Sequence, residues 1–229
     1  MEVPILYEDN HLLVVEKPIN IPVQADKSKD PDLLNFLKQD IKRRYNKPGN
    51  VYLGLVHRLD RPVGGVMVFA KTSKAASRLS DSIRKNEIKK TYLAVVRGIP
   101  PHKEIGTLED YLMKDRNENK THIVASSEKK AKKAILDYTV LASAKGLSLV
   151  KIRLQTGRPH QIRVQFASRG GYPLYGDQKY GEKMNKPGQQ IALWSNVLEL
   201  THPVQKEVTL CHSFPPDQYP WDLFSERIK

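Results

Sequence analysis

The sequence predicts an α+β fold with a mostly antiparallel sheet and flanking helices, on three observations. Strand patterns outnumber helical ones, and they come in adjacent pairs rather than in strand–helix–strand alternation. No internal repeat, low-complexity tract or clear linker divides the chain. A chain of 229 residues can bury roughly 70% of its unfolded surface in one core. We therefore expect a single domain over residues 1–229.

The first strand pattern is Leu12–Glu16, an apolar run stopped by Lys17-Pro18. Asp30-Pro31 then offers an N-cap followed by a helix-initiating proline. Leu34, Leu37, Ile41 and Tyr45 recur behind it at helical spacing, and Pro48-Gly49 ends the helix. Gly65–Ala70 is an apolar strand. Ser73 can cap a helix whose Ala76, Leu79 and Ile83 share one face. Tyr92–Val96 is a further strand, closed by Gly98. The Lys-rich stretch Met113–Lys133 reads either as a solvated loop or as a hairpin reaching toward a phosphate backbone. Strands Ala134–Ala144 and Leu147–Leu154 turn at Lys145-Gly146, and a helix is expected over Pro159–Arg169, ended by Gly170-Gly171. Ile191–Leu200 and Glu207–Cys211 flank Thr201–Lys206 as a late hairpin.

The charge balance narrows the partners. Lys+Arg number 38 against 25 Asp+Glu, a net charge of +13 with pI near 9.7, so a polyanion is the first partner to consider. A membrane surface fits less well, because the basic amphipathic stretch Leu33–Tyr45 lacks the aromatic and leucine-rich face that anchors in lipid. No apolar run approaches the roughly 18 residues of a bilayer span. Met1–Asn10 has three acids, no base and no apolar core, unlike a secretory signal, so the expected location is the cytoplasm. The lone Cys211 can form no internal disulfide, and His212 beside it would face the other way on a strand.

Two polar clusters stand in apolar surroundings. In His57-Arg58-Leu59-Asp60-Arg61-Pro62-Val63-Gly64-Gly65 a carboxylate is flanked by arginines just ahead of a buried strand. Positive neighbours offset the desolvation of such an acid, and the proline and glycines suit a loop that another molecule approaches closely. The plainer alternative is a surface Arg–Asp pair worth little. In Thr156-Gly157-Arg158-Pro159-His160-Gln161-Ile162-Arg163, free backbone N–H groups and basic side chains at a helix start would suit a phosphate. His160 alone reads as a helix-start hydrogen bonder, and Arg163 as a surface charge or a buried partner for a carboxylate. A metal on His57, Asp60 and His160 is disfavoured by Arg58, Arg61 and Arg163, which would repel a cation. No phosphate-binding glycine loop, dinucleotide fingerprint or nucleophile elbow occurs.

These residues resemble the RluA-type RNA pseudouridine synthases. Three blocks carry the likeness, in that family's order and spacing. They are His57-Arg58-Leu59-Asp60-Arg61 running into Gly65–Thr72, then Lys90–Gly98, then Thr156–Val164 followed by Pro173-Leu174-Tyr175-Gly176-Asp177. Lys17-Pro18 and the late hairpin also fit, so the likeness runs from about Ile5 to Phe214. Val63-Gly64-Gly65 stands where the family often has Thr-Ser-Gly, and Asn20 where it often has glycine. The N-terminal S4-like RNA-binding domain of many relatives is not expected here.

The resemblance implies the pseudouridine synthase fold with a central RNA-binding cleft. It also implies isomerisation of a flipped-out uridine in ribosomal or transfer RNA, without metal or organic cofactor; a monomer is the default expectation. Asp60 carries over as the essential acid, attacking the nucleoside or removing a ribose proton. Arg163 carries over as its ion-pair partner, Tyr92 as the residue against the target base, and Arg58 as the filler of the gap left in the RNA stack. His57, Arg61, Arg158, His160, Lys129, Lys130, Lys132 and Lys133 are candidate RNA contacts. The rival reading is a non-catalytic RNA-binding or ribosome-assembly protein of the same fold. A basic nucleotide hydrolase with Asp60 as base is a third, without the metal cluster or triad it would need.

Overall fold

The computed structural model describes residues 2–98, 105–169 and 171–228. In chain order its elements are β1 (Ile5–Glu8), β2 (Leu12–Lys17), α1 (Leu33–Arg44), β3 (Gly54–Leu55), β4 (Gly64–Ala70), α2 (Ser73–Arg84), β5 (Lys89–Arg97) and β6 (Ile105–Asp115). There follow β7 (Lys120–Val124), β8 (Lys132–Ala144), β9 (Leu147–Leu154), α3 (Gln161–Arg169), β10 (Leu193–Thr201), β11 (Val208–His212), a short 3₁₀ turn (Trp221–Phe224) and α4 (Ser225–Ile228). The α+β class and the mostly antiparallel pairing are as the sequence predicts. The chain divides into two compact units: Met1–Lys89 with Ser195–Ser213, and Lys90–Trp194 with Phe214–Lys229.

In the first unit β1 pairs β2 and β2 pairs β4, all antiparallel, with Leu13 opposite Phe69 and Val15 opposite Met67. Every residue of β4 is buried, which its unbroken apolar sequence requires of a strand covered on both faces. Leu12, Val14, Val66, Val68 and Ala70 pack with Ala75 and Leu79 of α2 and with Leu198 and Leu200 of β10. Each such aliphatic side chain contributes about 1.5–3 kcal/mol by leaving water. Gly65 allows the tightest approach: a Cβ there would lie 2.2 Å from the Ser195 carbonyl oxygen, and its φ is +112°. The late hairpin forms as expected, with Leu198 opposite Cys211 and Thr201 opposite Val208.

Both helix starts of the first unit differ from expectation. The cap of α1 is Asp32, whose Oδ1 accepts the N–H of Asn35 at 3.0 Å, and not Asp30. The buried stripe accordingly runs Leu33, Leu37, Ile41, while Tyr45 lies exposed beyond the helix. Thr72, not Ser73, caps α2 by accepting from Ala75 N–H, which turns Ala75 and Leu79 fully inward.

In the second unit the strand order is β5-β9-β8-β6-β7, each neighbour antiparallel. Lys145 and Gly146 both take positive φ, the geometry of a two-residue hairpin turn between β8 and β9. The Lys-rich stretch contains a hairpin, β6 returning as β7, with a turn before β8. The start of β6 ahead of that stretch, and β1, are strands that the sequence pattern alone does not predict. Helix α3 begins at Gln161 rather than Pro159, because His160 has φ +53° and cannot sit in a helix. Gly170, expected to end α3, lies outside the described residues. Val164 of α3 packs on Leu112 of β6 and Ala134 of β8.

Candidate active site

The first cluster forms a turn between β3 and β4. The N–H of Val63 donates to the Asp60 carbonyl at 3.0 Å, and buried Leu59 and Val63 pin the turn on either side of a half-buried Asp60. Beneath it lies a residue to which the sequence assigns no role: Lys17, the last residue of β2, with no exposed surface. Its Nζ donates to the carbonyl oxygens of Pro18 (2.8 Å), Arg61 (3.0 Å) and Val63 (2.8 Å). An ammonium has three N–H bonds, and the backbone just after Asp60 takes two of them. Burial pushes the Lys17 pKa down to about 7; the Asp60 carboxylate works against that shift and Arg61 adds to it.

The arginines of this loop part company. Arg61 gives its guanidinium to Asp30, with further bonds to the Asn20 carbonyl and Ser28 Oγ, both 3.2 Å. The exposed pair itself contributes little, but it fastens segment 20–30 to the turn. Arg58 is exposed. His57 Nε2 accepts the N–H of Val68 at 3.1 Å, so a neutral ring carries its proton on Nδ1.

The second cluster lies in the second unit. Tyr92 is buried on β5 opposite Ile152 of β9. Arg163 is buried on α3 and grips buried Asp177 with two parallel bonds of 2.8 Å, from Nε to Oδ2 and from Nη2 to Oδ1. Asp177 Oδ1 also accepts the N–H groups of Lys179 (3.0 Å) and Tyr180 (3.3 Å). The guanidinium carbon stands 5.4 Å from the Tyr180 ring centroid, and the Tyr180 oxygen lies 2.7 Å from His160 Nδ1 and accepts Thr121 N–H at 2.7 Å. Burial raises the Tyr180 pKa above its ordinary value.

Of the remaining candidates, Arg158 is half-buried and its Nε donates to the Lys133 carbonyl at 2.8 Å, tying α3's approach to β8. Lys129, Lys130, Lys132 and Lys133 are exposed around the β7–β8 turn, and Lys133 pairs with Glu109 at 2.7 Å. The structure thus gathers Lys17, His57, Asp60 and Arg61 on one turn of the first unit. It gathers His160, Arg163, Asp177 and Tyr180 in the second. Lys17 and Asp177 stand in the motifs quoted above without a role, and Tyr180 follows three residues after Asp177. Their signal is present as a lysine closing an apolar strand and as an acid between a buried tyrosine and a polar turn.

Comparison with known proteins places these residues in context. A family profile described as RNA pseudouridylate synthase matches residues 11–168. An RNA pseudouridine synthase of Zymomonas mobilis, itself uncharacterized, is 30% identical over 208 residues, 90% of this chain and 90% of that protein. The ribosomal large subunit pseudouridine synthase D of Pseudomonas aeruginosa is 32% identical over 237 residues, 97% of this chain and 71% of its own length. Among solved structures, human RNA pseudouridylate synthase domain containing 4 superposes with a TM-score of 0.78 at 24% identity, over 93% of this chain and 88% of that one, a likeness of fold.

Proposed function

The chain belongs to the RNA pseudouridylate synthase family, and from that premise we propose that Asp60 is the carboxylate with which it converts a uridine of structured RNA to pseudouridine. The observation that carries this reading is the Asp60 turn: a half-buried carboxylate followed by backbone carbonyls that the buried Lys17 ammonium fixes. A group that must meet one atom of a flipped nucleoside needs its backbone held rather than mobile.

The isomerisation breaks the bond between ribose C1′ and N1 of uracil and forms one between C1′ and C5. The C5 proton departs and N1 gains one, so no redox partner is required. An ionised carboxylate serves either as nucleophile or as base on the ribose. Tyr92 stacks against the base and offers its hydroxyl for proton transfer. Arg163 orients the acid, and Arg58 fills the vacated place in the RNA stack. His57, Arg61, Arg158, His160 and the lysines at 129, 130, 132 and 133 hold the RNA. The printed name of the Pseudomonas relative directs the first choice of substrate to ribosomal RNA, with transfer RNA second. The reading treats residues 1–229 as one catalytic domain acting in the cytoplasm as a monomer. No helix among the described residues is long and apolar enough to cross a membrane.

The test is tritium release from ribosomal and transfer RNA transcripts carrying [5-³H]uridine, with the unaltered protein and Asp60→Ala. Release by the unaltered protein alone supports the assignment. Equal release by both removes Asp60 from the chemistry, and silence from both with RNA bound favours the non-catalytic binder.

A further inference from the structure

The second unit holds a cavity of about 550 Å³ beside the Arg163 cluster, with Tyr180 in its wall. It opens between β7, α3 and the segment 179–184, and its size falls within the roughly 300–1,000 Å³ of ordinary ligand sites. Its lining is divided by chemistry. Lys120 and His122 come from β7, and Lys179 and Lys183 from the facing segment, against Glu182 as the carboxylate in the lining. Val164 and Ala167 of α3, with Pro173, make the apolar side, and Met184 stands at the lining 48% exposed.

We propose that this cavity binds an unpaired nucleotide of the RNA away from the target uridine, with its phosphate on Lys120 and Lys183 and its base against the α3 side and Met184. A concave site with excess positive charge concentrates an anion more than the same charges on a flat surface. An exposed thioether suits a base because it adapts to whichever ring arrives. Two of the three lysines are already placed: Lys179 Nζ donates to the Asn119 carbonyl at 2.9 Å, and Lys120 Nζ stands 5.7 Å from the Tyr180 ring centroid. Tyr180 is also the ring under the Arg163 guanidinium and the partner of His160, so an occupant would press on the same aromatic that supports two residues of the proposed machinery. The proposal rests on RNA being the substrate, and it adds a second point of grip that reads single-stranded or bulged structure.

The experiment uses the full chain and a [5-³H]uridine ribosomal RNA transcript, with fluorescence polarisation on a labelled fragment of it. Lys120→Glu with Lys183→Glu reverses the charge of the cavity, and Ala167→Phe fills it while leaving every charge in place. Lys74→Glu with Lys85→Glu, exposed on and beside α2, makes the same change of net charge elsewhere. The cavity variants should raise Kd and KM at least tenfold, more than the α2 control. The double reversal should lower the slope of log Kd against log salt by about 0.7 for each phosphate no longer neutralised. Equal weakening by the α2 control, or an unchanged Kd for Ala167→Phe, overturns the cavity. If the cavity variants lose affinity while the unaltered protein releases no tritium, the cavity stands and the synthase reading falls. If tritium is released and affinity is indifferent to the cavity, the reverse holds.

Discussion

Among the described residues, Lys17 in the first unit and Arg163 in the second are buried cations beside the residues proposed for function, and they are satisfied in opposite ways. Lys17 has backbone carbonyls as its hydrogen-bond acceptors, which are dipoles without net charge. Arg163 has a buried carboxylate, Asp177, in a bidentate pair. The two parallel bonds hold Arg163 in one geometry and tie α3 to the segment that bears Asp177. Lys17 stands under the turn that bears Asp60, and its ionisation feels that carboxylate in return. Dipoles leave the field of a buried charge whole at its neighbours, whereas a counter-ion offsets part of it.

The sharpest way to break this contrast is to remove the carboxylate nearest each cation. Asp60→Ala should lower pseudouridine formation by about 10⁴-fold or more, the scale of losing a nucleophile or base, with thermal stability nearly unchanged. Asp177→Asn should act chiefly on stability: it removes the carboxylate charge that the buried Arg163 grips with two bonds, at a cost of about 3–5 kcal/mol, read as a lower midpoint in urea or heat. An Asp60→Ala protein that melts early, or a fully stable Asp177→Asn protein, would collapse the distinction between acting and supporting charge.

Next in size is Lys17→Met, which fits the space but withdraws three donors. Turnover should fall about ten- to a hundredfold, since each orphaned buried carbonyl costs about 1–3 kcal/mol and the turn can relax. The pH dependence sharpens the point. With its pKa near 7 in the fold and 10.5 as the ordinary value, Lys17 loses a proton first in the folded state. Between those values the unfolded chain binds more protons, so this group's contribution to stability rises with pH. The neutral amine, however, has two N–H bonds for three carbonyls, so turnover should decline as pH rises past about 7 while the fold does not weaken. Lys17→Met should lack that decline, and a profile shared by both proteins would deny Lys17 its part.

The fold is legible in the sequence where pattern and local chemistry agree. The apolar run of β4, the Lys145-Gly146 turn and the late hairpin need no knowledge of distant residues. Helix starts shift by one or two residues because Asp30 and Asp32, or Thr72 and Ser73, are equally able caps; what decides is which phase turns the apolar side chains inward. The candidate site is half legible. Asp60, Tyr92 and Arg163 announce themselves through motif resemblance, but Arg61, beside that acid in sequence, reaches Asp30, 31 positions away. Lys17 with Val63, and Arg163 with Asp177, are likewise pairings that only the folded chain can make.

The smallest effect concerns charges that neither unit buries. Lys129, Lys130 and Lys132 are exposed near the β7–β8 turn, and Lys133 already has Glu109. Replacing all four by alanine should weaken RNA binding and flatten its salt dependence by about 0.7 for each phosphate no longer neutralised, with turnover at saturating RNA kept. Because Lys133 is paired, its share should be the least: Lys133→Ala alone should move the salt slope less than Lys130→Ala alone. An equal or larger shift from Lys133 would mean that RNA displaces Glu109 on binding. That would make this turn a place where ion pairs are exchanged rather than one where unspent charge waits for a phosphate.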